Sequence, residues 1–535
     1  MLKSGLIILL MATSIQPAQA QLDLPVNNPV QTEEKTGQIS FELSLFKIPE
    51  NKNKSSFVSH FKTYNLKTEA DRDQMAEDIK RHIQYYKDNK EIENLDSRKF
   101  RISKDIKKSL EYLLNSLKND MNQEVFDKMY EVADSINLNY KNVNYPDIDI
   151  TQAPHLAFGA LNSRLGKNPS KDISAQSDFE PANSTFWVKP TDVSAVETSV
   201  GMGRSKLPDY AYSVFNYKKS KSGYGSHGGF RVDLNGEEYK IRLGGEHRTA
   251  PFSARIIHAL GFNVLPIDHL KELRMKYDRR LLSEYNLRRS VPFKLTFGPV
   301  NLFTYQHSNK LDPFEFIQKA ILKNGDVITS AELKSRLGPS FDKYNSQFEA
   351  LIEEVVYTKV SIEKLDDDNI SVGPWDWNSD VHIQHRELRG YGLLAAWLGQ
   401  YDARTDNTRL YLMKTKSDQY VLRHVISDVG SALGRANPFF AYGIDDIDRM
   451  KTVVIKMFRN GDIRSKKFKT LHNNRVFEAS TTADARWMFK YIDQLSEKQI
   501  KSALAVAGFS AEEQVQAFNK LMLRKENIRS VLQKD

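Results

Sequence analysis

The stretch Trp397–Gly434, WLGQYDARTDNTRLYLMKTKSDQYVLRHVISDVGSALG, constrains the chain more than any other. A helical apolar pattern (Leu393, Leu394, Trp397, Leu398) runs into Tyr401 and Asp402, and Asn407 follows five residues after Asp402. Two short apolar runs, Arg409–Met413 and Tyr420–Ile426, are split by a polar turn, and the second ends in Ser427, Asp428, Val429 and Gly430. Helix, short loop, hairpin and Asp-x-Gly is an order that can build a phosphoryl-transfer site. Asp402 can orient a hydroxyl, while Asn407 and Asp428 can hold Mg²⁺. The loop has to be short to bring Asp402 and Asn407 to one side, and the hairpin has to return Asp428 to the same metal. The same residues also read as a surface loop after a helix and a strand-ending turn, because Asp and Gly are common in turns.

The chain has 535 residues, which implies more than one domain. Its net charge of +9 is spread along the sequence rather than gathered into a basic stripe with interleaved aromatics. Nucleic acid is therefore not an expected partner. Residues Met1–Ala20 have the pattern of a secretory signal: Lys3, an apolar run Leu6–Ala12, and small residues at Ala18 and Ala20. That run is too short to span a bilayer, and no other stretch is long and apolar enough, so no membrane span is expected. An exported location, periplasmic or secreted, is the expectation. The sequence contains no cysteine, which excludes disulfides, Cys metal sites and Cys nucleophiles.

Residues 21–55 read as a linker with a strand near Ile39–Phe46. Residues 56–140 read as a helical region. Met75, Ile79, Ile83 and Tyr86 recur at helical spacing, as do Ile106, Leu110, Leu113 and Leu117, then Val125, Met129, Val132 and Ile136. Residues 141–185 are polar and read as a second linker. From Phe186 the pattern turns to strands. Gly223, Gly225 and Gly228 form Gly-x-Gly-x-x-Gly, and the strand that follows argues for a loop over phosphates rather than a dinucleotide fold. A plain Gly/Ser hairpin loop is the other reading. On the strand Glu238–Leu243, Lys240 and Arg242 share one face, where a phosphate clamp can sit, and one of the two is expected to be a solvated strand residue. A helix is expected over Pro251–Leu260 and a helical insertion over 312–368. His382 and His385 lie three apart with no third ligand near them in sequence, so surface or packing histidines are the reading. Ser496 with Gln499, and Ser510 with Glu513, mark helix starts near the C-terminus.

Several short motifs recur together in order: Gly201–Gly203 (GMG), Arg242–Thr249 (RLGGEHRT), Ala254–Phe262 (ARIIHALGF), Trp375–Trp377 (WDW), Arg386–Gly390 (RELRG), Asp402–Asn407 (DARTDN) and Ser427–Gly434 (SDVGSALG). Asp484–Trp487 (DARW), Leu495–Ile500 (LSEKQI) and Ala507–Phe509 (AGF) complete the set. With these motifs the chain, from about Phe186 to its end, resembles a family of exported bacterial proteins with a protein-kinase-like fold. The resemblance implies an α+β, two-lobed protein-kinase-like domain, and the small helical region read from periodicity would precede it. Its small β-rich lobe would span 186–270 and its large α-rich lobe 271–535. It implies Asp402 as catalytic Asp, Arg404 beside the transferred phosphoryl group, and Asn407 and Asp428 as metal ligands. ATP with Mg²⁺ or Mn²⁺ would be bound, and a protein or carbohydrate would accept the phosphoryl group. Two positions depart from the family pattern. Arg242 stands where the clamping Lys is expected, and Ala250 where its acidic partner is expected, so Lys240 or Glu246 would substitute. That departure motivates an alternative, a catalytically degenerate kinase-like fold acting as a binding or scaffolding module. A third reading is a helical surface protein in which these motifs are structural. Amino-terminal sequencing of the exported protein is expected to begin at Gln21; a retained Met1 would remove the signal peptide.

Overall fold

The computed structural model of the chain describes residues 40–47, 58–66, 68–88, 97–122, 125, 128–129, 131–133, 136, 180–181, 183–200, 210, 212–220, 228–282, 290–297, 300–308, 314–338, 344–365, 369–377, 382–383, 385–403, 405–414, 420–434, 444–457, 463–465 and 475–534. It is a mixed α/β structure with one large sheet and many helices. The region before Tyr140 is not wholly helical, as the periodicity suggests. Strands β1 (Ser40–Lys47) and β2 (Val58–Asn65) pair as an antiparallel hairpin ahead of helices α1 (Glu69–Asp88) and α2 (Ser97–Ser116). The second strand, VSHFKTYN, is too polar to announce itself. Leu43 and Tyr64 of the hairpin, Met75 and Ile79 of α1, and Leu110 and Leu113 of α2 are buried in one core with Leu410, Leu412 and Leu422. The amino-terminal helices therefore dock on the strands that follow Asn407.

The large sheet is built from β3 (Val214–Ser220), β4 (Gly229–Leu234), β5 (Glu237–Leu243), β6 (Asp268–Leu270) and β7 (Leu273–Lys276). A separate hairpin, β8 (Ser290–Phe297) with β9 (Val300–Ser308), comes next. The sheet then takes in β10 (Ile317–Leu322), β11 (Val327–Thr329), β12 (Ile352–Tyr357) and β13 (Val360–Lys364). Its nine strands run in the order β11-β10-β12-β7-β3-β4-β5-β13-β6. Only the β3–β7 pair is parallel. Residues 312–368 are thus not a helical insertion. Apart from the short helices Ser330–Leu337 and Ser346–Glu349, this segment supplies four strands of the sheet. Spacings such as Ile317 to Ile321 and Leu351 to Val355 imitate a helix, whereas the β-branched run in IEEVVY packs as a strand.

Helix α3 (Glu246–Ala259) begins five residues before the expected start. Pro251 suggests a first helical position, yet it lies inside the helix, where it forfeits one backbone hydrogen bond. Phe252, Ile256 and Ile257 of α3 belong to a second core, formed mainly by helices. The short helices Ser330–Leu337 and Ser346–Glu349 count as α4 and α5. The helical core draws on α6 (Arg386–Leu398), α7 (Arg475–Glu478), α8 (Thr482–Gln494), α9 (Glu497–Val506) and α10 (Ala511–Leu532). A three-stranded sheet of β14 (Ile370–Gly373), β15 (Thr408–Lys414) and β16 (Tyr420–Ile426) adjoins it, as does the pair β17 (Ile455–Met457) and β18 (Ile463–Ser465). Capping boxes open α9 at Ser496 and Gln499 and α10 at Ser510 and Glu513. A third opens α8 at Thr481 and Asp484. No described helix is long and apolar enough to cross a membrane.

One buried ion network fixes α6, the helix that leads to Asp402. Arg389 donates to both oxygens of Asp484, at 2.8 and 3.0 Å, and Arg386 Nε donates to Asp484 Oδ1 at 3.2 Å. The same carboxylate accepts from the Thr481 amide at 3.0 Å, so one side chain caps α8 and anchors α6. All three charged side chains are at most 3% exposed. Asp484→Ala leaves two guanidiniums buried without their carboxylate and is expected to lower stability by about 3–5 kcal/mol. The shift of the urea unfolding midpoint measures this, and a shift near zero would refute it.

Candidate functional site

Helix α6 ends at Gly399, whose left-handed conformation (φ 79°) lets the chain turn sharply towards Asp402. Arg524 of α10 secures that end, donating to Trp397 O at 2.8 Å and to Lys451 O at 2.6 Å. The loop is then tied into place residue by residue. The Asp402 amide donates to Ser431 Oγ at 3.1 Å, and Asn407 Nδ2 donates to the Asp402 carbonyl at 2.6 Å. The Asn407 carbonyl accepts from the amides of Ser427 (2.9 Å) and Asp428 (3.2 Å). Gln400 accepts from the Tyr391 hydroxyl and donates through Nε2 to the Asp428 carbonyl at 3.3 Å. Asp376 braces the loop from outside by accepting from Thr405 Oγ1 at 3.1 Å. Asp402, Asn407 and Asp428 are thereby gathered at one place. The Asn407 amide nitrogen is engaged by Asp402, and an amide oxygen such as its Oδ1 is a ligand type for a hard cation.

Across from this loop, β5 and β13 present a cluster of charge. Arg242, 4% exposed, donates to Asp428 Oδ1 at 2.8 Å and to Ser427 O at 3.2 Å. Its guanidinium also lies 3.5 Å from Glu363 and 3.7 Å from Glu246. Lys240 reaches the same Glu363 oxygen at 2.9 Å. Lys240 and Glu363 stand opposite each other in the β5–β13 ladder, which makes them a cross-strand ion pair. Burial works against the charge of Arg242, but Asp428, Glu363 and Glu246 outweigh it and hold its pKa above the ordinary value. Burial likewise pushes Glu363 up, while Lys240 and Arg242 pull it below the usual carboxylate range. Among the described residues, two cations (Lys240, Arg242) meet three carboxylates (Glu246, Glu363, Asp428) here.

Neither Lys240 nor Arg242 is the solvated strand residue expected of one of them, because both are held by Glu363. Gly228 is buried just before β4, its carbonyl accepting from the Leu243 amide at 3.0 Å. Gly223, Gly225 and Arg404 lie outside the described residues. Glu363, Gln400 and Ser431 belong to the site and escape the sequence reading. Glu363 is hidden because its strand reads as part of a helix, whereas alternation along VSIEK is the signal that reveals it. A hollow lined by Glu180, Asn183, Lys189 and Thr191 contains none of the site residues.

No family model matches the chain, and no curated protein is similar to it. Among solved structures, the chain is similar to a Helicobacter pylori proinflammatory kinase, CtkA, at 14% identity. The alignment covers 62% of this chain and 98% of that one, with a TM-score of 0.30. At that score and identity the likeness carries no argument about fold or activity.

The glycine of Asp-x-Gly has a packing reason. A Cβ on Gly430 would stand 2.8 Å from the Glu246 side chain, and the Gly430 carbonyl accepts from the Thr249 hydroxyl. Glu246 and Thr249 form the first turn of α3, so this contact seats α3 on the Asp428 loop. Gly430→Ala is expected to destabilise by about 1–3 kcal/mol through overpacking. A thermal melt unchanged from wild type would show that the contact is not tight.

Proposed function

We propose that the chain is an exported, kinase-like phosphotransferase that uses ATP with Mg²⁺ or Mn²⁺. The reading rests on one observation: Asn407 hydrogen-bonds Asp402 through its side chain and Asp428 through its main chain, so an acid, an amide and a second acid share one loop junction. The residues fit a hard divalent cation. Asn407 and Asp428 carry oxygen donors of the type such a cation takes. Asn407 Oδ1 and the Asp428 carboxylate would hold the metal, which supplies charge neutralisation on the phosphate oxygens. Asp402 would accept the proton of the acceptor hydroxyl and orient it. Arg242 and Lys240 would face the phosphates from β5, with Glu246 and Glu363 setting their positions, and the segment ending at Gly228 would cover the nucleotide. In this reading the sheet core and the helical core are the two lobes of a protein-kinase-like domain. The acceptor would be a protein or carbohydrate outside the cytoplasm.

A second reading has its own support. Arg242 already occupies Asp428 Oδ1 at 2.8 Å, where a less encumbered carboxylate would suit a metal better. This favours a catalytically degenerate kinase-like fold that serves as a binding or scaffolding module.

A thermal-shift screen of the chain from Gln21 onward, with nucleotides and Mg²⁺ or Mn²⁺, tests the first reading. A ligand at one hundred times its Kd is expected to add about 2.7 kcal/mol of stability. Asp428→Asn is expected to abolish the metal-dependent part of that shift. Asp402→Asn is expected to retain binding and lower the rate of phosphoryl transfer by about 10²–10⁴-fold. Binding without transfer of labelled phosphate to any protein or sugar would favour the scaffold. No shift with any nucleotide would end the phosphotransferase reading.

A further inference from the structure

Away from the aspartates, three side chains from distant parts of the sequence meet. Glu131 comes from the amino-terminal helical region, His382 from the segment before α6, and His424 from β16. His424 Nε2 lies 3.2 Å from Glu131 Oε2, and His382 Nε2 lies 4.0 Å from the same oxygen. One ligand atom from each of the three falls within 4.8 Å of the others. The two imidazoles are buried, His424 completely, whereas Glu131 is 26% exposed. Phe186 stacks on His424 with centroids 3.8 Å apart, and the Trp375 ring stands edge-on to both histidines.

The ring nitrogens turned away from Glu131 are engaged too. His382 Nδ1 bonds the Asp376 carbonyl, and His424 Nδ1 lies 2.9 Å from Thr185 Oγ1. A carbonyl can only accept, so His382 Nδ1 carries a proton, and the ring is held with Nε2 turned towards Glu131. Ligating histidines are oriented in this way: the far nitrogen donates to a backbone or side-chain oxygen, and the near nitrogen meets the metal.

We propose that Glu131, His382 and His424 bind a single divalent transition-metal ion, for which Zn²⁺ is the best match. Two imidazoles and one carboxylate are a donor set that Zn²⁺ takes, with water in the fourth position. The exposed edge of Glu131 gives that water and the ion a way in. A tetrahedral ion about 2.0 Å from each ligand sets the ligand atoms about 3.3 Å apart, so the site closes by roughly an ångström when filled. Donor chemistry separates it from the oxygen-only Asp402, Asn407 and Asp428 junction, because imidazole favours Zn²⁺ and carboxylate with amide oxygen favours Mg²⁺. The ion ties the amino-terminal helical region to β16, which leads to Asp428, and to the segment ahead of α6, which leads to Asp402. The proposal does not depend on phosphoryl transfer.

The test uses the chain from Gln21 onward, stripped with chelator, dialysed against Zn²⁺ and analysed for metal. One equivalent of zinc and a higher melting temperature are expected, and Co²⁺ in its place is expected to give the visible absorption of a tetrahedral nitrogen–oxygen site. Glu131→Gln and His424→Gln are each expected to weaken zinc binding by more than about tenfold, the loss that even outer-shell changes produce. Glu131→Gln replaces a part-exposed side chain with one of equal size, and its circular dichroism is expected to match wild type. His258→Gln, at an exposed histidine, is expected to change nothing. Sub-stoichiometric zinc in wild type, or uptake unaltered by Glu131→Gln and His424→Gln, would overturn the proposal and leave a proton-bridged contact in its place.

Discussion

A buried guanidinium needs carboxylates around it, and the centre of this molecule is arranged to meet that need. Arg242 is almost wholly enclosed, and its counter-charges come from three other places: Glu363 on β13, Glu246 at the head of α3, and Asp428 after β16. Removing a charge from water costs several kcal/mol unless partners are fixed nearby. Any arrangement that buries Arg242 must therefore bring these segments together. The sheet, the first turn of α3 and the loop after the hairpin converge for this reason. Gly430 permits the convergence, because Glu246 lies against its backbone.

The helical part follows the same logic with different residues. Asp484 is satisfied by two arginines of α6 and by the amide of its own helix start, so a capping residue doubles as an anchor. Arg524 plays a comparable part at the other end of α6, where the Trp397 carbonyl accepts from it and a cation suits the helix dipole. A helix held at both ends places the loop after it reproducibly. Asp402, Asn407 and Asp428 therefore stand on a rigid support rather than on a free surface loop.

Much of the local structure is legible in the sequence. Helix α6 runs from Arg386 to Leu398 as its apolar spacing indicates, and the hairpin of β15 and β16 falls on the two apolar runs after Asn407. Ser496 with Gln499 and Ser510 with Glu513 announce their helices because a capping box is a local arrangement of a few residues. The failures are equally instructive. Residues 312–368 deceive because short apolar spacings of three and four occur in buried strands as well as in helices. The hairpin partner Val58–Asn65 is hidden because its apolar residues, Val58, Phe61 and Tyr64, recur every third position rather than every second.

The sequence by itself determined the order of elements around Asp402 and Asp428, the caps, and the glycines that turns require, since these depend on neighbours a few residues apart. Only the tertiary structure decided which charges meet. Glu363 pairs with Lys240 across a sheet, Ser431 receives the Asp402 amide from 29 residues away, and Glu131 reaches His424 across 293 residues. Such contacts are set by how sheet and helices pack. Packing is a property of the whole chain, and no local spacing encodes it.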